Sequence, residues 1–334
     1  MKLCITMITL LVPLILSCSH QEQKTEVAPP LADVHSAYEA ARRLELEPRD
    51  AEEFPDLHNV FRLSDNIISG SEPHGEKAFA WIAALGVKTI LTVDGKKPDA
   101  EVAKKFGMRY VHVPIQYKGI TEDEMLRIAK TFREVESPFF VHCFHGKHRG
   151  PTAAAVGRLI LDGASREQAL AEMRQWCGTS AKYEGLYGAL ASSMIPHAAE
   201  TEALDWDFPE TRPFTGFREM MIDISRSYDH LLNLSKRSWE GDPRHPDVDA
   251  LNEARKLFEF FEQGQDLDEV QAEPEDFRRW LDESAVVSEE LRDTLEQRRS
   301  AVEQGTVSTD EELQEIFDSV SSLCSRCHYV YRNE

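Results

Sequence analysis

Two short stretches of this chain combine residue types that do chemistry. The first is His142-Cys143-Phe144-His145-Gly146-Lys147-His148-Arg149-Gly150, which sets a cysteine and an arginine with five residues between them. A loop of that length can curl until its backbone N–H groups converge on one tetrahedral anion, with a helix N-terminus behind it. Arg149 can grip two anion oxygens at once. The positive surroundings are expected to lower the Cys143 pKa and keep a thiolate ready to attack phosphorus. Gly146 frees the bend, and Lys147 and His148 add positive charge. The second stretch, Cys324-Ser325-Arg326-Cys327-His328, spells C-x-x-C-H. Two thiols at that spacing can add to the two vinyl groups of one porphyrin, and the next residue offers an imidazole to the iron. C-x-x-C also reads as a redox pair or half a zinc site. However, no second cysteine pair completes a zinc site, and no thioredoxin-like strand pattern surrounds it, so covalent haem is the expectation.

The elements around Cys143 alternate. Residues 60–63 and 67–70 read as a strand or hairpin, 75–85 as a helix, and 87–93 as a buried, β-branched strand. A helix over 99–106, a strand over 110–114 and an amphipathic helix over 121–135 follow. The last of these opens on the capping box Thr121-x-x-Glu124. The strand 139–142 leads into Cys143, and helices over 151–161 and 166–176 come after. This predicts an α/β domain with a mostly parallel central sheet flanked by helices. Cys143 then lies at the C-terminal end of a strand, where such sheets place their ligand sites.

Beyond a charged, proline-containing linker over 199–213 the chain reads as all-helical, with helices over 215–239, 246–263, 274–299 and 309–332. Short connections predict an antiparallel four-helix bundle over 214–334. Leu313, Ile316, Phe317, Val320 and Leu323 share one face of the last helix, which runs into Cys324 and Cys327.

At 334 residues the chain is long enough for these two domains. Its net charge of −21 argues against nucleic acid as a partner. The half after residue 198 carries most of the acidic excess, so an anion site is more plausible before it. Residues 1–18 read as a signal peptide: Lys2 supplies the positive end, and the stretch 5–16 is almost wholly apolar. Ile15-Leu16-Ser17-Cys18 resembles a bacterial lipobox with Cys18 as the lipidated residue; an ordinary cleaved leader is the other reading. Residues 19–55 are expected to form a tether and an N-terminal helix, ahead of the catalytic domain at 56–198. Cys177 reads as a buried small hydrophobe.

His142-Cys143-x-x-Gly146-Lys147-His148-Arg149 resembles the loop of the tyrosine and dual-specificity phosphatase superfamily, closest to its atypical plant and fungal group. The similarity extends loosely over 58–195, including Arg62, the entry Gly86-Val87-Lys88-Thr89-Ile90, and Gly119. The resemblance implies Cys143 as nucleophile, Arg149 as phosphate-binding arginine, and a phosphorylated protein or small molecule as substrate, phosphotyrosine or inositol phosphates included. There are two departures. Gly150 and Pro151 precede Thr152, where members place Ser or Thr directly after the arginine. Gln116 stands where many members carry an acidic proton donor. Asp123, Glu122 and Asp94 are the alternatives for that acid, and Asp123 is the tentative choice. An anion-binding domain without turnover stays open.

Cys324, Cys327, His328, Tyr331 and Arg332 at the end of a fourth helix resemble the cytochrome c-prime and c-556 family. That resemblance implies one covalent haem c with His328 as axial ligand. It leaves the distal side either open or ligated by Met220 or Met221; a methionine in the bundle core is the competing reading. The expectation is therefore an exported, lipid-anchored phosphatase, periplasmic or on the outer face of a bacterial membrane. Its haem domain would sense a diatomic gas or exchange electrons with a redox partner.

Overall fold

The computed structural model describes residues 27–212, 216–241, 248–304 and 310–331. The leader, Cys18 and Arg332 lie outside the described residues. Six strands form one sheet: β1 (Glu52–Phe54), β2 (Leu57–Arg62), β3 (Ile67–Gly70), β4 (Thr89–Thr92), β5 (Arg109–His112) and β6 (Phe139–His142), in the order β1-β2-β3-β6-β4-β5. The β1-β2 and β2-β3 pairs are antiparallel, while β3-β6, β6-β4 and β4-β5 are parallel. The expected hairpin is thus the antiparallel margin of a parallel centre. Strands β3, β4 and β6 are buried along their whole length, as their continuous apolar runs require.

Among the described residues, eight α-helices flank the sheet: α1 (Ala37–Ala40), α2 (Gly75–Ala84), α3 (Ala100–Lys105), α4 (Glu122–Glu134), α5 (Arg149–Leu161), α6 (Arg166–Ala171), α7 (Glu184–Ala191) and α8 (Ala198–Ala203); a π-helical turn over Glu172–Trp176 continues α6. The Thr121–Glu124 capping box forms at the start of α4. Helix α5 is buried almost throughout, so the chain after Cys143 dives through the core. The segment expected as a linker is fastened down. It holds α8, and the Pro209 carbonyl accepts from the His112 N–H at 2.9 Å, beside the edge strand β5.

The helical region comprises α9 (Phe217–Ser235), α10 (Ala250–Gly264), α11 (Asp268–Gln271), α12 (Glu275–Glu303) and α13 (Asp310–Tyr331). Helix α10 packs against both α9 and α12, and α13 against α12. Leu313, Ile316, Phe317 and Val320 are buried, as their shared face predicts. The short α11 was not legible as a separate helix. Among the described residues, no helix is long and apolar enough to cross a membrane.

Candidate active site

Strand β6 delivers Cys143 and helix α5 begins at Arg149, so the loop between them is pinned at both ends. Its carbonyls are tied outward. That of Phe144 accepts from the Glu72 N–H at 3.0 Å, and that of His145 from Asn59 Nδ2 at 2.8 Å. That of Lys147 accepts from Thr179 Oγ1 at 2.7 Å, and that of His148 from Thr152 Oγ1 at 2.9 Å. With the carbonyls held outside, the amides turn inward. The Cys143 thiol receives two of them, from His148 and Gly150. Gly146 sits at φ +70°, and a Cβ there would stand 2.3 Å from the Gly70 carbonyl carbon, so no other residue fits. A Cβ on Gly150 would come within 2.9 Å of the Cys143 nitrogen. His142, also expected at this loop, is buried in the sheet, 2.7 Å from the Tyr110 hydroxyl. Burial lowers its pKa to about 4, which keeps it neutral.

Asp94 lies two residues past β4, the neighbour of β6, and this places it against Phe144 and Arg149 of the loop. Its Oδ2 accepts from Arg149 Nη2 at 2.5 Å and from the Phe144 N–H at 3.3 Å. Its Oδ1 accepts from the Lys96 N–H at 3.1 Å. The carboxylate therefore occupies donors that an anionic ligand would need. Burial works against its ionisation, but Arg149, then Lys256, hold the carboxyl well below the usual carboxylate range. Paired with Arg149, Asp94 is thus held as an anion. Tyr117 completes the enclosure. Its hydroxyl accepts from Arg149 Nη2 at 2.8 Å, and the guanidinium lies 4.2 Å from its ring centre.

Two expectations are corrected. The Cys143 thiol is pushed up, not down: burial dominates, and Asp94 works against the lowering effect of Arg149. Asp123 sits on the exposed first turn of α4, paired with Arg127 at 3.1 Å, and does not line the cleft around Arg149. Glu122 is likewise exposed. Thr152 is spent on the His148 carbonyl. Cys177 is buried and its thiol is pushed far up by burial, as befits a small core residue.

The cleft lies between the two regions of the chain. Gly95, Lys97, His112, Gln116, Tyr117 and Arg149 form one wall, and Asp223, Arg226, His230, Lys256, Phe260 and Gln263 form the other. Sequence patterning missed the second wall entirely, since nothing in a helical period says which helix faces a distant loop. His112 braces the junction. Its Nε2 donates to the Asp94 carbonyl at 2.7 Å, and its Nδ1 accepts from the Arg212 N–H at 3.1 Å. Burial lowers its pKa to about 4.

In the last helix, α13, Cys324 and Cys327 lie one turn apart, both half-buried, and His328 is exposed. The Tyr331 hydroxyl donates to Asp276 at 2.7 Å. Met220 is fully buried with its sulfur packed against Gly264, whereas Met221 is half-buried. Among the described residues, no group of three or more His, Cys, Asp or Glu is arranged to hold a bare metal ion.

No family model matches the chain. It is 27% identical over 144 residues to the dual specificity protein phosphatase TpbA of Pseudomonas aeruginosa strain UCBPP-PA14, covering 42% of this chain. The match in strain PAO1 is also 27% identical, over 143 residues. The chain spans 64% of the length of the first of these curated relatives and 63% of the second. Among solved structures, the crystal structure of P. aeruginosa TpbA aligns at 22% identity and a TM-score of 0.38, over 46% of this chain and 94% of that one. The core catalytic domain of the PP-IP phosphatase SIW14 from S. cerevisiae, in complex with citrate, aligns at 17% identity and a TM-score of 0.32, over 47% and 85%.

Proposed function

We propose that the sheet region is a cysteine-dependent phosphatase acting on phosphomonoesters of the phosphotyrosine or inositol-phosphate type. The observation that carries this reading is the loop around Cys143 and Arg149, in which the carbonyls of Phe144, His145, Lys147 and His148 are tied outward. The phosphoryl group takes the place of the Asp94 carboxylate on Arg149 and the Phe144 N–H. The Cys143 thiolate attacks phosphorus; the S–P bond forms as the ester P–O bond breaks. Water then attacks the phosphocysteine, the S–P bond breaks, and inorganic phosphate leaves with the thiolate restored. Arg149 and the loop amides carry the charge on the equatorial oxygens through both steps. Asp123 faces solvent and pairs with Arg127, so it supplies no proton to the departing oxygen, and Gln116 carries no acidic proton to give. Esters with good leaving groups are therefore favoured. Hydrolysis of 4-nitrophenyl phosphate by the full-length protein, and its loss in Cys143→Ser, tests the assignment; activity surviving that change refutes it.

A second reading, an anion-binding domain without turnover, is favoured by the raised Cys143 thiol and by Asp94 on Arg149. The same assay separates the two.

We further propose that Cys324 and Cys327 hold a c-type haem covalently with His328 as axial ligand. The donor set fits: two thiols on successive turns of one helix, packed on the bundle core, with an exposed imidazole beside them. Bound there, the haem supplies one-electron or gas-binding chemistry. Of the two methionines that could serve such a group, Met220 is committed to packing on Gly264, and Met221 is half-buried. Export, and lipidation at Cys18, belong to the same proposal, because bacterial c-type haem is attached outside the cytoplasmic membrane.

A further inference from the structure

The cleft wall opposite Arg149 belongs to α9 and α10. These helices run antiparallel: Met220 packs on Gly264 at one end, and His230 faces Glu253 at the other. Glu253 is fully buried and holds two neighbours at once. Its Oε1 accepts from Lys256 Nζ at 2.7 Å, and its Oε2 lies 3.1 Å from His230 Nδ1. The stem of Lys256 crosses Gly95, where a Cβ would stand 3.6 Å from Lys256 Cδ. Lys256 thereby sits close enough to the Arg149 pair for Asp94 to feel its charge.

Burying a carboxylate with an ammonium costs free energy that a well-packed apolar pair would not. The fold accepts that cost beside a cleft, and the effect is to fix a cation and an imidazole at its wall. Arg226 joins them, held by Asp223 at 2.8 Å. Among the described residues, five cationic side chains line the cleft, and counting the carboxylates paired with them (Asp94, Asp223, Glu219 and Glu253) the cations still exceed the anions by one, in a chain of net charge −21. A local excess of that sign, set in a concave site, selects anions. Phe260 lines the same cleft and offers an apolar surface to whatever joins two anionic groups.

We propose that Lys256, His230 and Arg226 form a second anion subsite, and that the natural substrate is a phosphomonoester carrying another anionic group on its organic part. The inference rests on the phosphatase reading: Arg149 takes the ester phosphate, and the helical wall takes the remote carboxylate or phosphate. The helical region is then part of the substrate site.

The test is calorimetric titration of the full-length Cys143→Ser protein, so that binding is read without turnover. The ligands are 4-methylphenyl phosphate, 4-(carboxymethyl)phenyl phosphate and 4-(phosphonomethyl)phenyl phosphate, which differ in the remote group alone. The remote anion should tighten binding about tenfold or more, the effect of one charge-assisted contact. The better of the carboxylate and phosphonate arms names the group. Lys256→Met and Arg226→Met, each in the Cys143→Ser background, should bring that ratio towards one. Arg226 is exposed, so its replacement keeps the test available if Lys256→Met does not fold. Equal affinity for the three ligands, or a ratio that both substitutions leave intact, overturns the subsite. Turnover of 4-nitrophenyl phosphate by the unmutated protein, an ester whose good leaving group needs no proton donor, is measured separately. Its absence overturns the phosphatase reading and leaves the binding ratio to judge the subsite.

Discussion

Replacing Asp94 by Asn removes one charge from a pair in which both side chains are almost fully buried, at 6% and 4% exposure. Arg149 then stays buried without its counter-ion. Removing one partner of such a pair costs about 3–5 kcal/mol. The asparagine amide oxygen still accepts from Lys96 or Phe144, so the lower end, about 3 kcal/mol, is expected here. For a region of this size that corresponds to a fall in Tm of roughly 10 °C. Phosphate can then stand where the carboxylate stood. At a hundred times its Kd it returns about 2.7 kcal/mol, so the variant should recover most of its Tm in excess phosphate. In the unmutated protein phosphate must first displace Asp94, and its gain should be smaller. The sign with pH follows from the same pair. The folded carboxyl lies below its usual range, so the stabilisation is present at neutral pH and is lost only in strong acid. Thermal melts of both proteins, with and without phosphate, are the assay. Alkylation by iodoacetamide is a second readout, because the Cys143 thiol should come down without Asp94 beside it. An unchanged Tm, or an equal phosphate response in the two proteins, would refute the displacement argument.

Four further outcomes are expected. Burial pushes the Glu259 carboxyl up to about 7, against the opposing pull of Lys96 and the Lys97 N–H. Its contribution to stability is therefore full below the usual carboxylate range and lost as pH rises through 7. Glu259→Gln should gain about 2 kcal/mol over the unmutated protein in urea melts at alkaline pH, and little in acid. Arg149→Lys should lose most phosphatase activity, since an ammonium cannot reproduce the two-pronged grip; near-normal kinetics would contradict this role. A plot of rate against leaving-group pKa should fall steeply; a flat plot, with phosphoryl transfer to the enzyme rate-limiting, would reveal an efficient acid. Protein matured with c-type haem machinery should keep its haem through denaturing electrophoresis and lose it when Cys324 and Cys327 are both changed to Ala; colourless protein would sink the haem proposal.

Much of the sheet region was legible because its signals are local. The β-branched run around Thr89–Thr92, the Thr121 cap and the apolar strand before Cys143 each declare themselves within a few residues. The helices after residue 216 were legible from their apolar period. What stayed hidden depends on strand order and packing. Asp94 is 55 residues from Arg149 in the chain and meets it only because β4 lies beside β6. The direction of the Cys143 shift was misread for the same reason, since the arginine was visible and its buried carboxylate partner was not. Asp123 looked available from its distance along the sequence, yet the first turn of α4 turns it towards Arg127. The second wall of the cleft rests on Lys256 crossing Gly95, a contact with no signature in either segment.

Tyr117 belongs at once to the periphery of the sheet region's core and to that of the helical core. The same ring covers Arg149. Linkage then works in both directions. If an anion on Arg149 shifts the guanidinium from this ring, it changes the helical packing around Tyr117, and that packing then changes the anion's affinity by the same factor. A melt that follows the helices alone should consequently respond to phosphate bound in the other half of the molecule. Cutting the chain near residue 212 would leave Tyr117 with one of its two supports and Arg149 under an altered restraint.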